Sequence, residues 1–162
     1  MTRESSIRRY RPADKNVVWR VHERAFRAVS IPFDPELDRD LRRVPEAYLR
    51  EGEFLVGTTD GQVVAVGGFR PAGDRSIEVK RMRVDPDYQR AGYGSALLRE
   101  LERRARERGA KRVVLHMSDR LDSAVAFYRT QGYRETSREP HPEIDMALVY
   151  FEKRLEMRVV DS

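Results

Sequence analysis

Residues 79–98 read VKRMRVDPDYQRAGYGSALL. A run mixing apolar and charged residues ends at Val84, the turn-forming DPD follows, and Gly92 and Gly94 stand directly before an apolar stripe of helical spacing. Glycine permits positive φ and close approach of the backbone, and the first amides of a helix have no intrahelical partner. A strand, a glycine turn and a helix start thus offer an anion site built from main chain, suited to a phosphate. Hydrogen bonds to a charged acceptor are worth about 1.5–3 kcal/mol each, against about 0.3–1 kcal/mol for the helix dipole. Three or four loop amides therefore do most of the holding, and Arg90 is placed to add a charged contact. The loop lacks the G-K-[ST] ending of a P-loop. Its strand belongs to an antiparallel run, unlike a dinucleotide fold that opens with its glycine motif.

Outward from this stretch, the chain divides into short elements. SIRRYR (6–11) reads as a strand, and Pro12 and Asp14 open a helix with Val18, Val21, Ala25 and Val29 as its stripe. Asp34 and Pro35 form an N-cap and first-turn pair for a second helix carrying Leu37, Leu41 and Val44, which Pro45 breaks or kinks. EFLVGTT, the Asp60-Gly61 turn and QVVAVGGFR make a hairpin, and SIEVKRMRV (76–84) is the next strand. After the glycine loop, a helix buries Leu97, Leu98, Leu101 and Ala105 and is closed by Gly109. RVVLHM (112–117) is a strand, DSAVAFYRTQ (122–131) a helix capped by Gly132, and YRETS and MALVYFEKRL (146–155) an antiparallel end. The hairpins imply antiparallel pairing and the strand, helix, strand run from 76 to 117 implies one parallel crossover.

The composition fits a single domain over residues 1–162, a length that buries about 68–70% of its unfolded surface without disulfide or metal staples. There is no cysteine and the chain is charged from its start, which places the expectation on a cytoplasmic protein with no membrane span and no metal site. Lys and Arg number 32 against 27 acidic residues, a net charge of +5. No nucleic-acid-binding motif accompanies that charge, and interspersed glutamates give ion pairs such as Glu100–Arg104 and Glu102–Arg106 on an exposed helix face, so the reading is against nucleic acid. The last strand pairs either within one chain or across a homodimer.

The stretch around QRAGYG is similar to the signature of the GNAT superfamily of N-acetyltransferases, whose [RQ]-x-x-G-x-[GA] loop binds the pyrophosphate of acetyl-CoA; Gln89, Gly92 and Gly94 match. AVAFYRTQGYRE (124–135) resembles the family's A-x-x-[FL]-Y-x-x-x-G-[FY] segment. Together the motifs cover residues 78–135, and the element order matches over nearly the whole chain. The resemblance implies an α/β (α+β) fold, a GNAT-like mixed, mostly antiparallel sheet of about six to seven strands with helices on both faces. It also implies acetyl transfer from acetyl-CoA to a primary amine of a small molecule or peptide, by direct attack in a ternary complex. Loop residues Gln89, Arg90, Ala91, Gly92, Tyr93, Gly94 and Ser95 would hold the cofactor, with main-chain groups of Met82, Arg83 and Val84 gripping the thioester and pantetheine. Family members often carry Asn where this chain has Leu121, which leaves a side-chain contact to pantetheine without its usual residue and Asp122 or Ser123 as substitutes.

Acetyl transfer needs a neutral amine, a polarised thioester carbonyl and a proton for the leaving thiolate. The resemblance points to Glu78 as base, eleven positions before Gln89. Strand alternation puts Glu78, Lys80, Met82 and Val84 on one face. A carboxylate near 4.3 and an ammonium near 10.4 differ by about six units, roughly 8 kcal/mol, so Glu78 requires a raised pKa or an ordered water. His116 is the alternative base; His22 and His141 lack ligand-like partners. Tyr128 matches the family acid, and a tyrosine near 10 facing a thiolate near 8.5 is uphill by only about 2 kcal/mol. The acceptor would be shaped by VSIPFDPEL (29–37) and TSREPHPEID (136–145), where Glu139, Glu143 and Asp145 could attract a cationic amine. Two other classes share these features: an acyl-CoA-binding regulatory module without turnover, and a basic nucleic-acid-binding protein.

Overall fold

The computed structural model describes residues 4–29 and 35–155, apart from the side chain of Leu37. In chain order the elements are β1 (Ser5–Arg9), α1 (Lys15–Arg27), a 3-10 segment (Pro35–Arg42), a π-helical turn (Pro45–Leu49), β2 (Glu53–Thr59), β3 (Gln62–Pro71), β4 (Ser76–Val84), α2 (Tyr93–Glu107), β5 (Arg112–Ser118), α3 (Asp122–Thr130), β6 (Arg134–Pro140) and β7 (Ala147–Arg154). The strands form one seven-stranded sheet in the order β1-β2-β3-β4-β5-β7-β6. β4 and β5 pair in parallel, Ser76 with Arg112 through Glu78 with Val114. The β1–β2, β2–β3, β5–β7 and β6–β7 pairs are antiparallel. This is the mixed, mostly antiparallel sheet expected from the element order, and β7 finds both neighbours within its own chain.

The residues group into two compact units, Met1–Arg70 with Val79–Leu101 and Pro71–Glu78 with Glu102–Ser162. In the first, every residue of β2 is buried, as suits a strand that is covered on both faces. Its core joins Val18 and Val21 of α1, Leu41, Val44 and Tyr48 of the irregular segment, and Tyr10, Phe54, Val56, Val63 and Val66. Phe54 meets the ring of Tyr10 edge-on at 5.9 Å and that of Tyr48 at 5.2 Å. Full burial of such a side chain contributes about 1.5–3 kcal/mol. In the second unit, Val113 and Leu115 of β5 and Val149 and Phe151 of β7 are buried together with Tyr128 and Tyr133.

Three local expectations need correction. Val29 lies beyond α1 and is exposed, while His22 takes the buried place on its stripe. The second helix is not a regular α-helix: a 3-10 segment is kinked at Asp38, with φ −118° and ψ 22°, and Pro45 begins a helical turn instead of ending one. Asp38 is buried and drawn to His22 and Arg81, partners far away in sequence, and those bonds override the local repeat. The Asp34 cap and the segment 30–34 fall outside the described residues. The third correction concerns Glu102, which faces the interior and not solvent. It is 3% exposed, accepts from Tyr133 at 2.7 Å and pairs with Lys153 Nζ at 3.1 Å. Burial, reinforced by the Glu102 charge, pushes the Tyr133 hydroxyl far above its ordinary range.

Candidate functional site

The glycine loop is built by a chain of short-range bonds within the first unit. Asp85 leaves β4, its amide donating to the Val64 carbonyl at 2.8 Å and its carboxylate accepting from the Asp87 amide at 3.0 Å. Arg24 of α1 clamps both carboxylates, reaching Asp85 at 3.0 Å and Asp87 at 3.0 Å. Burial works to raise the Asp85 pKa, but Arg24 and the Asp87 amide outweigh it and hold the carboxyl below its usual range. The Gln89 side-chain amide donates back to the Val84 carbonyl at 3.0 Å, so Gln89 fixes the loop instead of projecting from it. The chain then passes through two left-handed residues, Arg90 at φ 63° and Gly92 at φ 90°. The left-handed conformation costs a non-glycine residue about 1–2 kcal/mol, and strain of this kind concentrates at ligand-holding turns.

α2 starts at Tyr93, and its first bond out of the loop runs from the Ala96 amide to the Gly92 carbonyl at 3.0 Å. Among the described residues the amides of Gly92, Tyr93, Gly94 and Ser95 have no hydrogen-bond partner, the number a helix start leaves over. Of the two glycines, both of which permit positive φ, only Gly92 uses it; Gly94 sits inside the first turn of α2. The Ser95 hydroxyl accepts from Arg99 at 2.9 Å, and the rings of Tyr88 and Tyr93 meet edge-on at 6.1 Å. Arg90 and Ala91 precede the helix and are exposed.

β4 departs from the expected alternation. Arg81 has φ 61°, a left-handed residue inside a strand, and the side chains change phase there. Lys80 and Arg81 both line one cavity with Asp40, whereas Met82 lies against Gly67 and the Leu97 side chain of α2. Arg83 returns to the α1 side, its guanidinium donating to the Met82 carbonyl at 2.9 Å and to His22 Nδ1 at 3.3 Å and lying 5.7 Å from the Phe26 ring. Glu78 and Lys80 therefore do not share a face with Met82. Ion pairing explains why the strain is tolerated. Arg81 contacts Asp38 at 2.8 Å and holds Asp40 through both Nε, at 3.1 Å, and Nη2, at 2.9 Å. At about 1.5–3 kcal/mol for each hydrogen bond to a charged group, three exceed the strain.

These buried charges settle each other. Burial works to raise both Asp38 and Asp40, yet the bonds from His22 to Asp38 and from Arg81 and Tyr48 to Asp40 leave both carboxyls below the usual range. Burial and the Asp40 charge push Tyr48, which donates to Asp40, far upward. Because arginine only donates, Nδ1 of His22 accepts from Arg83 and Nε2 carries the proton facing Asp38 at 3.0 Å. The alternation of LDRDL hides this network, since every partner lies at least eight residues away.

In the second unit the two candidate bases come together. His116 Nε2 lies 3.4 Å from Glu78 Oε2, because β4 and β5 pair in parallel at Glu78–Val114 and His116 is two residues further along β5. Tyr150 of β7 is His116's register partner and its ring lies 5.3 Å away. The Tyr150 hydroxyl donates to Glu139 at 3.1 Å, and that bond, with burial and the charges of Glu139 and Glu78, raises its pKa. Tyr150 was not singled out in the sequence, where an aromatic residue on a terminal strand carries no signal. Tyr128 is 7% exposed and packed between Phe127, at 5.1 Å, and Tyr133, at 5.6 Å. Leu121 precedes α3 as its N-terminal boundary residue, with Asp122 in the first turn. Half of the expected acceptor loop 136–145 is strand β6. Its remainder is closed by His141, whose Nδ1 accepts from the Glu143 and Ile144 amides at 3.1 and 3.2 Å, and by Arg120, which holds the Asp145 carbonyl at 2.9 Å.

Among the described residues no helix is long and apolar enough to cross a membrane, and no group of three or more His, Asp or Glu side chains is placed to hold a metal. The family model described as "Acetyltransferase (GNAT) family" matches residues 17–133. Human N-acetyltransferase 8 is 30% identical over 110 residues, which cover 64% of this chain and 48% of that protein, so the chain spans about half the length of this relative. An acetyltransferase of the GNAT family from Staphylococcus aureus Mu50 superposes with a TM-score of 0.84 at 22% identity, covering 94% of this chain and 100% of that one. An aminoglycoside 6'-N-acetyltransferase solved with coenzyme A gives 0.75 at 16% identity, covering 94% and 98%. The matched span holds β4, the loop with its four open amides, α2 and the Tyr128 helix, and on that match the chain belongs to the GNAT family of acetyltransferases.

Proposed function

We propose that the chain binds acetyl-CoA at the α2 entrance and transfers its acetyl group to a primary amine of a small molecule or peptide. The observation that carries this reading is the set of four unpartnered amides, Gly92 to Ser95, behind a left-handed Gly92. A diphosphate has the charge and the acceptor oxygens to satisfy them. When bound, acetyl-CoA supplies an activated thioester and a thiol leaving group. Gln89 fixes the loop through Val84, and the amides of Met82, Arg83 and Val84 supply donors for the thioester oxygen. Glu78, paired with His116, takes the proton released by the amine, either directly or through water. Tyr128 gives its hydroxyl proton to the departing sulfur; its ring is buried and packed beside Phe127 and Tyr133.

Calorimetry with acetyl-CoA and a free-thiol release assay over amines, aminoglycosides and peptides test the reading. We expect micromolar binding and turnover on at least one amine, and Tyr128→Phe lowers kcat about 100-fold or more with little change in cofactor affinity. No binding up to millimolar acetyl-CoA overturns the function, and wild-type turnover in Tyr128→Phe overturns the acid role.

A further inference from the structure

The cavity beside β4 has no part in holding the cofactor as described above, yet its lining is chemically one-sided. It is an open cleft of about 390 Å³ within the first unit, lined by Arg39, Asp40, Arg43, Glu46, Ala47, Arg70, Lys80 and Arg81. Five cationic side chains face two carboxylates. Asp40 is already taken, accepting from Arg81 twice and from Tyr48, so this pair cancels internally. What remains is Arg39, Arg43 and Arg70 against Glu46, with Lys80 beside them acting on Asp40. Among the described residues no carboxylate lies within ion-pair distance of Arg39, Arg43 or Arg70. Arg70 is held over the Tyr48 ring at 5.2 Å, which fixes its direction without neutralising it.

Four separate elements bring these cations together: the 3-10 segment carries Arg39, the following residue pair Arg43, β3 Arg70 and β4 Lys80. The irregular backbone is what gathers them. Pro45–Leu49 starts a new turn instead of ending a helix, and the left-handed Arg81 brings itself and Lys80 to the same side. Like charges gathered in this way repel one another, and an oxyanion relieves that repulsion while matching the guanidinium fork in bidentate fashion. A volume of this size stands at the small end of ligand cavities, fit for a metabolite-sized group. Lys80 follows Glu78 by two residues on one strand.

The geometry points to this cavity as the recognition site for an oxyanion, a carboxylate or phosphate, carried by the acceptor amine. Its role toward the acceptor rests on the acetyltransferase reading, whereas the anion site itself stands or falls by binding alone. Two arms test it on the full chain. In the first, glutarate and inorganic phosphate are titrated separately into the protein without acetyl-CoA at fixed ionic strength, with Arg39→Gln/Arg43→Gln as comparison; both arginines are exposed, so the exchange leaves the core intact. We expect saturable binding of at least one anion that weakens about tenfold or more in the variant, and the better of the two identifies the oxyanion. In the second, acetyl transfer is compared between amino acids and their methyl esters, and between aminoalkyl phosphates and the matching amino alcohols. The anionic member has the lower KM by about tenfold, and the ratio falls toward one in the variant.

Anion binding lost in the variant, with no acetyl transfer to any amine, retains the site and removes the acetyltransferase reading. No saturable anion binding by the wild type, or binding unchanged in the variant, overturns the site; transfer that is indifferent to the anionic group overturns its assignment to the acceptor; each of these leaves the acetyltransferase reading intact.

Discussion

Replacing Gly92 by alanine isolates the backbone geometry of the loop. At φ 90° a Cβ would meet nothing within 4 Å, so the substitution creates no clash and its whole effect is conformational. If the loop keeps its shape, the left-handed residue costs about 1–2 kcal/mol, which for a chain of this size lowers Tm by about 2–8 °C. If it relaxes to negative φ, the Gly92 and Tyr93 amides turn away and at least one hydrogen bond to a charged acceptor is lost, a 10- to 150-fold weakening of acetyl-CoA by about 1.5–3 kcal/mol. Gly109 supplies the matched control, since it closes the far end of α2 at φ 85° and a Cβ there also meets nothing within 4 Å. Gly109→Ala should lower Tm by a similar amount and leave the acetyl-CoA Kd within about twofold. Thermal denaturation and calorimetry on both variants decide the matter. Equal losses of affinity in the two variants, or a Gly92→Ala protein that loses neither Tm nor affinity, refute a diphosphate held by these amides.

Three further outcomes follow from the packing and the charges. Glu78→Gln lowers kcat/KM about 100-fold or more in the thiol-release assay; a rate within twofold of wild type removes Glu78 as base. Glu102→Ala leaves the buried Tyr133 hydroxyl without its acceptor and Lys153 without its partner in the second unit and costs about 1–3 kcal/mol in urea unfolding, with Glu102→Gln losing less; a loss under about 0.5 kcal/mol shows that the cluster adds nothing. Arg8 holds Asp14 below its ordinary pKa, and Asp38, Asp40 and Asp85 are lowered against their burial. A depressed folded pKa gives stability that is present above the unfolded value of about 3.9 and is lost as pH falls through the folded value. Tm should accordingly be level from pH 6 to about 4 and decline below it, whereas a flat profile down to pH 2.5 contradicts the assignment of these carboxylates.

Legibility in the sequence tracks how local the cause is. The positive φ of Gly92, Gly109 and Gly132 and the two-residue Asp60-Gly61 turn are set by residue type, and each appears where the sequence places it. The element order and the parallel crossover follow from period changes that span whole elements. The kink at Asp38 and the left-handed Arg81 had no such mark, because neither position is glycine and both are held by partners from other elements. Glu102 shows a degeneracy of another kind. An acid four residues before an arginine looks the same whether it faces solvent or a buried lysine, and only the position of β7 decides. The Glu78–His116 contact depends on strand register, and the sequence supplied the two candidates without their separation.

The left-handed turn at Arg81 divides β4 into two stretches whose side chains alternate out of step. Ahead of it the side chains obey one pattern of inside and outside, and after it the opposite one, so each segment is free to vary without retuning the other. Grafting a regularly alternating strand across residues 76–84 would invert this assignment, carrying Arg83 toward the apolar surface of Leu97 and turning Met82 out among the arginines. A single dihedral thus acts as the hinge pin on which the charged and apolar halves of the strand are hung.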